Sequence, residues 1–170
     1  LKDEHYVKTV TAAYRVALDQ LIDTRNDVQR ASSGRCQFDF TPEPARSFSR
    51  GATDYFLHKK RNAVAEIRSP KSVGKSIGRV VAMDARCFTL SGDEPVHGGD
   101  GLCFFDRNGV LVGMRVNRVE GRTLYPKDGL AGLHLSLGTE LCRNLDVRFN
   151  KILENSTQCR EIAVCLTLLE

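Results

Sequence analysis

The chain has 170 residues, 41% of them apolar and 27% charged, and a formal net charge of +4. That length and apolar share support one domain with a true core, or one small domain with an appendage. No apolar run approaches the roughly 18 residues of a membrane helix and no signal-peptide pattern opens the chain, so a cytoplasmic protein without membrane contact is expected.

Six cysteines (Cys36, Cys87, Cys103, Cys142, Cys159, Cys165) sit in or beside apolar runs, and no pair has Cys-x-x-Cys spacing. Buried reduced thiols are the expectation rather than bridges or metal ligands. The charge is unevenly placed. Residues 45–80 carry nine basic side chains against Asp54 and Glu66, a local excess of +7, whereas the remainder carries −3. Such asymmetry speaks to an anionic partner rather than to fold.

Taken in order, the chain opens in a helical pattern. Tyr6, Val7, Val10, Ala13, Tyr14, Ala17, Leu18, Leu21 and Ile22 recur at i, i+3, i+4, i+7 spacing and predict one apolar stripe on a helix from Asp3 to about Arg30, with Gly34 as its C-cap. A stripe this long exceeds what a small barrel covers, so it is expected to close a preceding domain. Residues 35–68 read as a linker and basic segment in which Phe38, Phe40 and Phe48 pin a Pro-containing loop. The His58-Lys-Lys-Arg61 run is a solvated face or a phosphate-contacting patch. Ser69-Pro-Lys-Ser-Val-Gly-Lys-Ser76 ends like a phosphate loop but has no glycine at its start and a strand, not a helix, after it. Gly74-Lys-Ser76 is therefore expected to enter the first strand of a barrel, Ile77–Met83, with a turn at Asp84-Ala85 and a second strand through Leu90.

The stretch from Gly99 to Asp146 organises the rest. Gly98-Gly-Asp-Gly101 invites a metal or phosphate reading, but glycines beside a strand more often serve a bulge, and the aspartate more often holds its own loop. Two apolar runs flank Asn108-Gly109, which predicts a hairpin with a type I′ turn. Val110, Val112, Met114 and Val116 alternate with polar positions, so one strand face is buried. Glu120-Gly121 is a second turn before Thr123–Tyr125, and Gly138–Arg143 a further short strand. Leu145, Phe149, Ile152 and Leu153 predict a short helix near 144–153, and Ile162, Val164, Leu166 and Leu168 a last strand that closes the barrel or begins another domain. The expected fold is α+β, mainly β: a small antiparallel β-barrel (69–159) with a long N-terminal helix (1–34), a linker (35–68) and a final strand (160–170).

No catalytic set stands out. There is no Gly-x-Ser-x-Gly, no cysteine with a credible histidine partner, and no carboxylate pair at a shared site. His5, His58, His97 and His134 are scattered, so no metal site is expected.

Several motifs in order resemble one family. They are Tyr6-Val-x-x-Val-x-x-x-Tyr-Arg-x-Ala-Leu18, Phe48-Ser-Arg-Gly51 with Thr53-Asp-Tyr-Phe56, Ser69-Pro-Lys-x-x-Gly74-Lys-x-x-Gly-Arg-Val80, Gly99-Asp-Gly-Leu-x-Phe104 and Arg143-Asn-x-Asp146 with Phe149. Each is weak alone, but together they resemble peptidase family U32, the collagenase-like proteases, over nearly the whole chain. The resemblance implies that residues 1 to about 30 end a TIM-barrel catalytic region and that the rest is the collagenase-associated domain, a barrel similar to those of translation factors. It further implies a role in hydroxylating bases of ribosomal or transfer RNA, with an iron–sulfur cluster held by cysteines upstream of Leu1 and none in this stretch. The expected role is thus an accessory, non-catalytic domain that positions RNA. Arg50, Lys59, Lys60, Arg61, Arg68, Lys71, Lys75 and Arg79 are the candidate phosphate contacts, and the preceding catalytic barrel and ribosomal or transfer RNA the expected partners. The rival expectation is a docking or protein-substrate-binding module, which predicts an exposed apolar patch on the first helix.

Overall fold

The computed structural model describes residues 3–51, 53–55, 57 and 67–168. The chain divides into two compact units, one made of Leu1–Glu43 with Lys151–Glu170 and the other of Pro44–Asn150.

The first unit begins with helix α1, Glu4–Thr24. Asp3 caps it, its carboxylate accepting the Tyr6 amide at 2.8 Å, as the Ser/Thr/Asp preference at this position requires. The helix ends at Thr24 rather than running to Arg30 and the expected cap at Gly34. From Asp23 onward no apolar stripe continues. The Thr24 hydroxyl turns back to the Gln20 and Leu21 carbonyls, while Arg30 and Arg35 return to Asp19 and Asp23. Only Thr9 and Ala12 of α1 are fully buried; Val7, Tyr14, Leu18 and Leu21 of the predicted stripe are exposed. Strand β1, Arg35–Phe38, pairs antiparallel with β8, Gln158–Glu161, from Arg35↔Glu161 to Phe38↔Gln158. Residues 35–38, read as linker, are thus half of a two-stranded sheet. The last predicted strand reduces to its first residues. Ile162, Val164, Leu166 and Leu168 are exposed and carry no ladder, because alternation alone supplies no partner strand; Leu169 lies outside the described residues.

The second unit is a closed antiparallel barrel. Its strands are β2 (Lys75–Met83), β3 (Phe88–Leu90), β4 (Gly101–Phe105), β5 (Leu111–Glu120), β6 (Thr123–Pro126) and β7 (Glu140–Leu145). Around the barrel they run β2-β3-β6-β5-β4-β7, and β7 pairs with β2 to close it. Every strand therefore has two neighbours, which removes the edges that would otherwise invite aggregation. The interior is filled by Ile77, Val80, Phe88, Leu90, Leu102, Phe104, Val116, Leu124 and Leu141. Gly74-Lys75-Ser76 enters β2 as expected, and Asp84 makes the next turn by accepting the Arg86 and Cys87 amides at 2.6 and 2.9 Å.

The β5 alternation holds from Val112 onward, in two phases, whereas Val110 precedes the strand and is exposed. Val112, Met114 and Val116 face the core until a bulge between Val116 and Arg118, after which Val119 does. The extra residue of a bulge shifts the pleat by one. The β4–β5 turn is not type I′. Among residues 106–110 only Gly109 has positive φ (+76°). Its amide donates to the Asp106 carbonyl at 3.0 Å, and the Asp106 amide to the Val110 carbonyl at 2.9 Å. That is a type I turn closed by a left-handed glycine, the next most common hairpin solution. Asp106 selects it by accepting the Asn108 and Val110 amides at 2.9 and 2.8 Å. Helix α2 spans Val147–Asn155, three residues later than predicted at its start. Leu145 belongs to β7 and Ile152 is exposed, so only Phe149 and Leu153 of the predicted face are buried.

Two glycines separate conformation from close approach. Gly74 (φ +75°) and Gly109 (φ +76°) have the same left-handed backbone, but a Cβ at Gly74 would collide with the Arg143 carbonyl, whereas one at Gly109 meets nothing within 4 Å. Gly109→Ala is expected to cost about 1 kcal/mol and Gly74→Ala at least about 2 kcal/mol more, measured by urea unfolding. Equal losses would show that Gly74 is not a close-packing point.

Candidate nucleic-acid interface

Beneath the candidate surface lies a buried set of charges that joins distant parts of the barrel unit. The β7 side chain Arg143 is essentially sealed from solvent. One of its terminal nitrogens donates to the Pro95 carbonyl at 2.6 Å. The other donates to Glu94 at 2.7 Å and lies 3.0 Å from Asp146. Asp100 is 3.7 Å away. Asp146 also receives Arg46 Nε at 2.8 Å and caps α2 through the Phe149 amide at 2.9 Å. The Arg46 guanidinium stacks on the Phe149 ring, 4.7 Å from its centroid. Asp100 holds the loop before β4 by accepting the His97 amide at 3.0 Å, and accepts the Val147 amide at 3.1 Å. The Gly98–Gly101 loop thus has the structural role expected for its aspartate.

Burial by itself pushes the Asp146 carboxyl up. The Phe149 amide, Arg46 and Arg143 outweigh that and hold it below the usual range. Glu94 behaves alike: burial raises it, while Lys75 and Arg143 lower it further. Both folded-state pKa values lie below the unfolded ones. Their stabilisation is therefore complete above the ordinary carboxylate range near pH 4 and is lost as pH falls through the lowered folded values. Arg143→Met should destabilise the unit by about 3–5 kcal/mol at neutral pH, because Asp100 is left buried without a cation and Asp146 keeps only Arg46. The loss should shrink towards pH 4 as Asp146 and Glu94, no longer held down by Arg143, protonate. A pH-independent loss in urea unfolding would mean that packing, not charge, carries the effect.

The predicted phosphate contacts separate into three groups. Arg50, Arg68 and Lys71 are exposed; the Arg50 and Arg68 guanidinium groups lie over Phe48 and Phe105 at 5.8 and 4.2 Å from the ring centroids. Lys75 and Arg79 are engaged within the unit. Lys75 is 3.0 Å from Glu94, and Arg79 donates to Glu140 and to the Gly138 carbonyl, both at 3.1 Å. Lys59, Lys60 and Arg61 lie outside the described residues. The local excess of +7 is therefore partly answered by acids from later in the chain.

Other exposed cations were not visible as a run. Arg86, Arg107, Arg115, Arg118, Arg122, Lys127 and Arg148 are all exposed on the barrel unit, dispersed among apolar and acidic neighbours. Counting by unit recovers them: Pro44–Asn150 holds 17 basic and 11 acidic side chains, against 8 and 10 in the other unit.

Among the described residues no three His, Cys, Asp or Glu side chains converge on a metal position. Cys103 and Cys142 face each other across β4 and β7. Burial pushes the Cys103 thiol up to about 12, with Cys142 adding to it, which suits a packed thiol rather than a reactive one. No helix among the described residues is long and apolar enough to cross a membrane.

Comparison with known proteins gives two matches. Residues 1–66 match the model of peptidase family U32. The chain is also 38% identical, over 98% of its length, to the 23S rRNA 5-hydroxycytidine C2501 synthase of Escherichia coli (strain K12), of which it spans 26%. No solved structure matches significantly. Over residues 1–66, which hold α1, β1 and the segment that leads into the barrel, the chain is similar to peptidase family U32, and its identity to the synthase continues through the barrel itself.

Proposed function

We propose that this chain is an accessory, non-catalytic part of a longer U32 protein and that its barrel unit holds an RNA substrate for base hydroxylation performed elsewhere in that protein. The observation that carries the reading is the segregation of charge, with 17 basic against 11 acidic side chains in Pro44–Asn150. The name of the relative, an enzyme that makes 5-hydroxycytidine in 23S rRNA, supplies the polyanion. A basic surface binds phosphates without reading sequence and releases counterions as it does so. Arg50, Lys71 and the Lys59–Arg61 run are the leading contacts. Lys75 and Arg79, already paired with Glu94 and Glu140, add less. The iron–sulfur cluster belongs, on this reading, to the region that does the chemistry.

A second reading is favoured by one observation. Val7, Tyr14, Leu18 and Leu21 form an exposed apolar face along α1, as a docking module for the rest of a longer U32 protein, or for a protein substrate, would require. The two readings part on RNA. Binding of structured ribosomal RNA across a salt series should fall steeply between about 50 and 200 mM, with a slope of several phosphate contacts. The Lys59/Lys60/Arg61 triple alanine variant should reduce that slope by about 2–3. No binding at low salt would leave the basic surface as a solvated face and favour docking.

A further inference from the structure

We infer that the groove between residues 30–37 and 161–163 binds the phosphate group of a phosphate ester, a site that belongs to the first unit alone and stands apart from the use made of the barrel's basic surface. The starting point is a set of charges that does not balance. Asp19 and Asp23 lie one turn apart on α1. Asp19 accepts from both Arg15 and Arg30, the latter through Nη1 at 2.6 Å. Asp23 accepts from Arg35 twice, through Nη1 at 2.9 Å and through Nη2. Three guanidinium groups thus share two carboxylates, a local surplus in a unit that holds 8 basic against 10 acidic side chains in all. Two donors of this cluster, Arg15 Nε and Arg30 Nη2, are sealed from solvent and have no acceptor among the described residues. Buried donors on a charged group are costly to leave unpaired, and an anion answers both the charge and the donor.

Arg30 lines a groove of about 810 Å³ together with Ser33, Gly34, Arg35, Gln37, Glu161 and Ile162. Arg30 and Arg35 are each held by an aspartate, so little ordering is left to be done when an anion arrives. Ser33 and Gln37 add neutral donors, and Gln37 already donates to the Glu161 carboxylate at 2.5 Å, which partly answers the acid on that wall. The backbone beneath is pressed close. Gly34 has φ +85°, and a Cβ there would come within 2.6 Å of the Glu161 carbonyl, while Arg160 Nε donates to the Ser33 carbonyl at 3.0 Å. A carboxylate offers two oxygens in one plane. A phosphate offers more, in several directions, and so can meet two guanidinium forks and a hydroxyl at once. The groove exceeds the ion in size, and the exposed Ile162 adds apolar surface to it, as an ester carrying an organic group requires. A free nucleotide and the RNA backbone share this chemistry.

Amide shifts of the wild-type chain, titrated with inorganic phosphate and with uridine monophosphate against sodium chloride at equal ionic strength, test the site. Both anions should move the Ser33, Gly34 and Arg35 amides, and the nucleotide should bind more tightly because it also reaches Ile162. Arg30→Gln should weaken both about tenfold, the scale of one charge-assisted hydrogen bond; Asp19 keeps Arg15, so the fold should survive. Ser33→Asp alters an exposed position, should melt at the wild-type temperature, and should lose the same binding by repulsion. A short single-stranded RNA that loses affinity in Ser33→Asp would identify the backbone as the source of the phosphate, whereas unchanged RNA affinity with lost nucleotide binding would identify the free ester. A response to phosphate and nucleotide no different from that to chloride would overturn the site, as would wild-type affinity for both in folded Arg30→Gln and Ser33→Asp.

Discussion

Arg143 is the constraint on which the barrel unit depends. A guanidinium removed from water must find acceptors for its donors, and those acceptors come from two separate places, the loop before β4 (Glu94, Pro95, Asp100) and the start of α2 (Asp146), while Asp146 also accepts from Arg46 and so ties in that segment. Each is held because the charge cannot be left unpaired. The hydrophobic interior closes the barrel, but apolar contacts are non-directional. The buried ions decide where the connecting segments lie, and so where the basic side chains that follow them emerge.

That arrangement has a consequence for the surface. Asp100, Asp146 and Glu94 are turned inward onto Arg143, Arg46 and Lys75, so part of the unit's acidic complement is removed from solvent. The exposed cations of β5 and the turns therefore have fewer neighbouring carboxylates than the composition suggests. In the other unit the balance reverses, and what it exposes is apolar: Val7, Tyr14, Leu18 and Leu21 along α1. The two units therefore present two kinds of surface, one net basic and one with an exposed apolar stripe.

Much of the fold was legible because local chemistry and global structure agree. Asp3 and the 3.6 period announced α1, Asn108-Gly109 a hairpin, and Gly74-Lys-Ser76 the entry to a strand rather than a phosphate loop. The misreadings share a cause. The turn at Asn108 depends on Asp106, whose side chain competes for the amides that a type I′ turn would leave to water. The α2 boundary depends on Asp146 being an N-cap, and that residue also serves Arg143. The strand expected after Arg160 had the right alternation but no partner beyond Glu161.

From residues alone came the resemblance to peptidase family U32, the barrel and the local excess of +7, because each rests on composition, period or motif order, which are properties of the chain as a line. Which cations are already answered, that Glu94 takes Lys75 and Glu140 takes Arg79, was decided only by the tertiary structure. So was the exposure of the α1 stripe. Charge pairing and concavity depend on residues tens of positions apart, and only strand register and closure of the barrel bring those together.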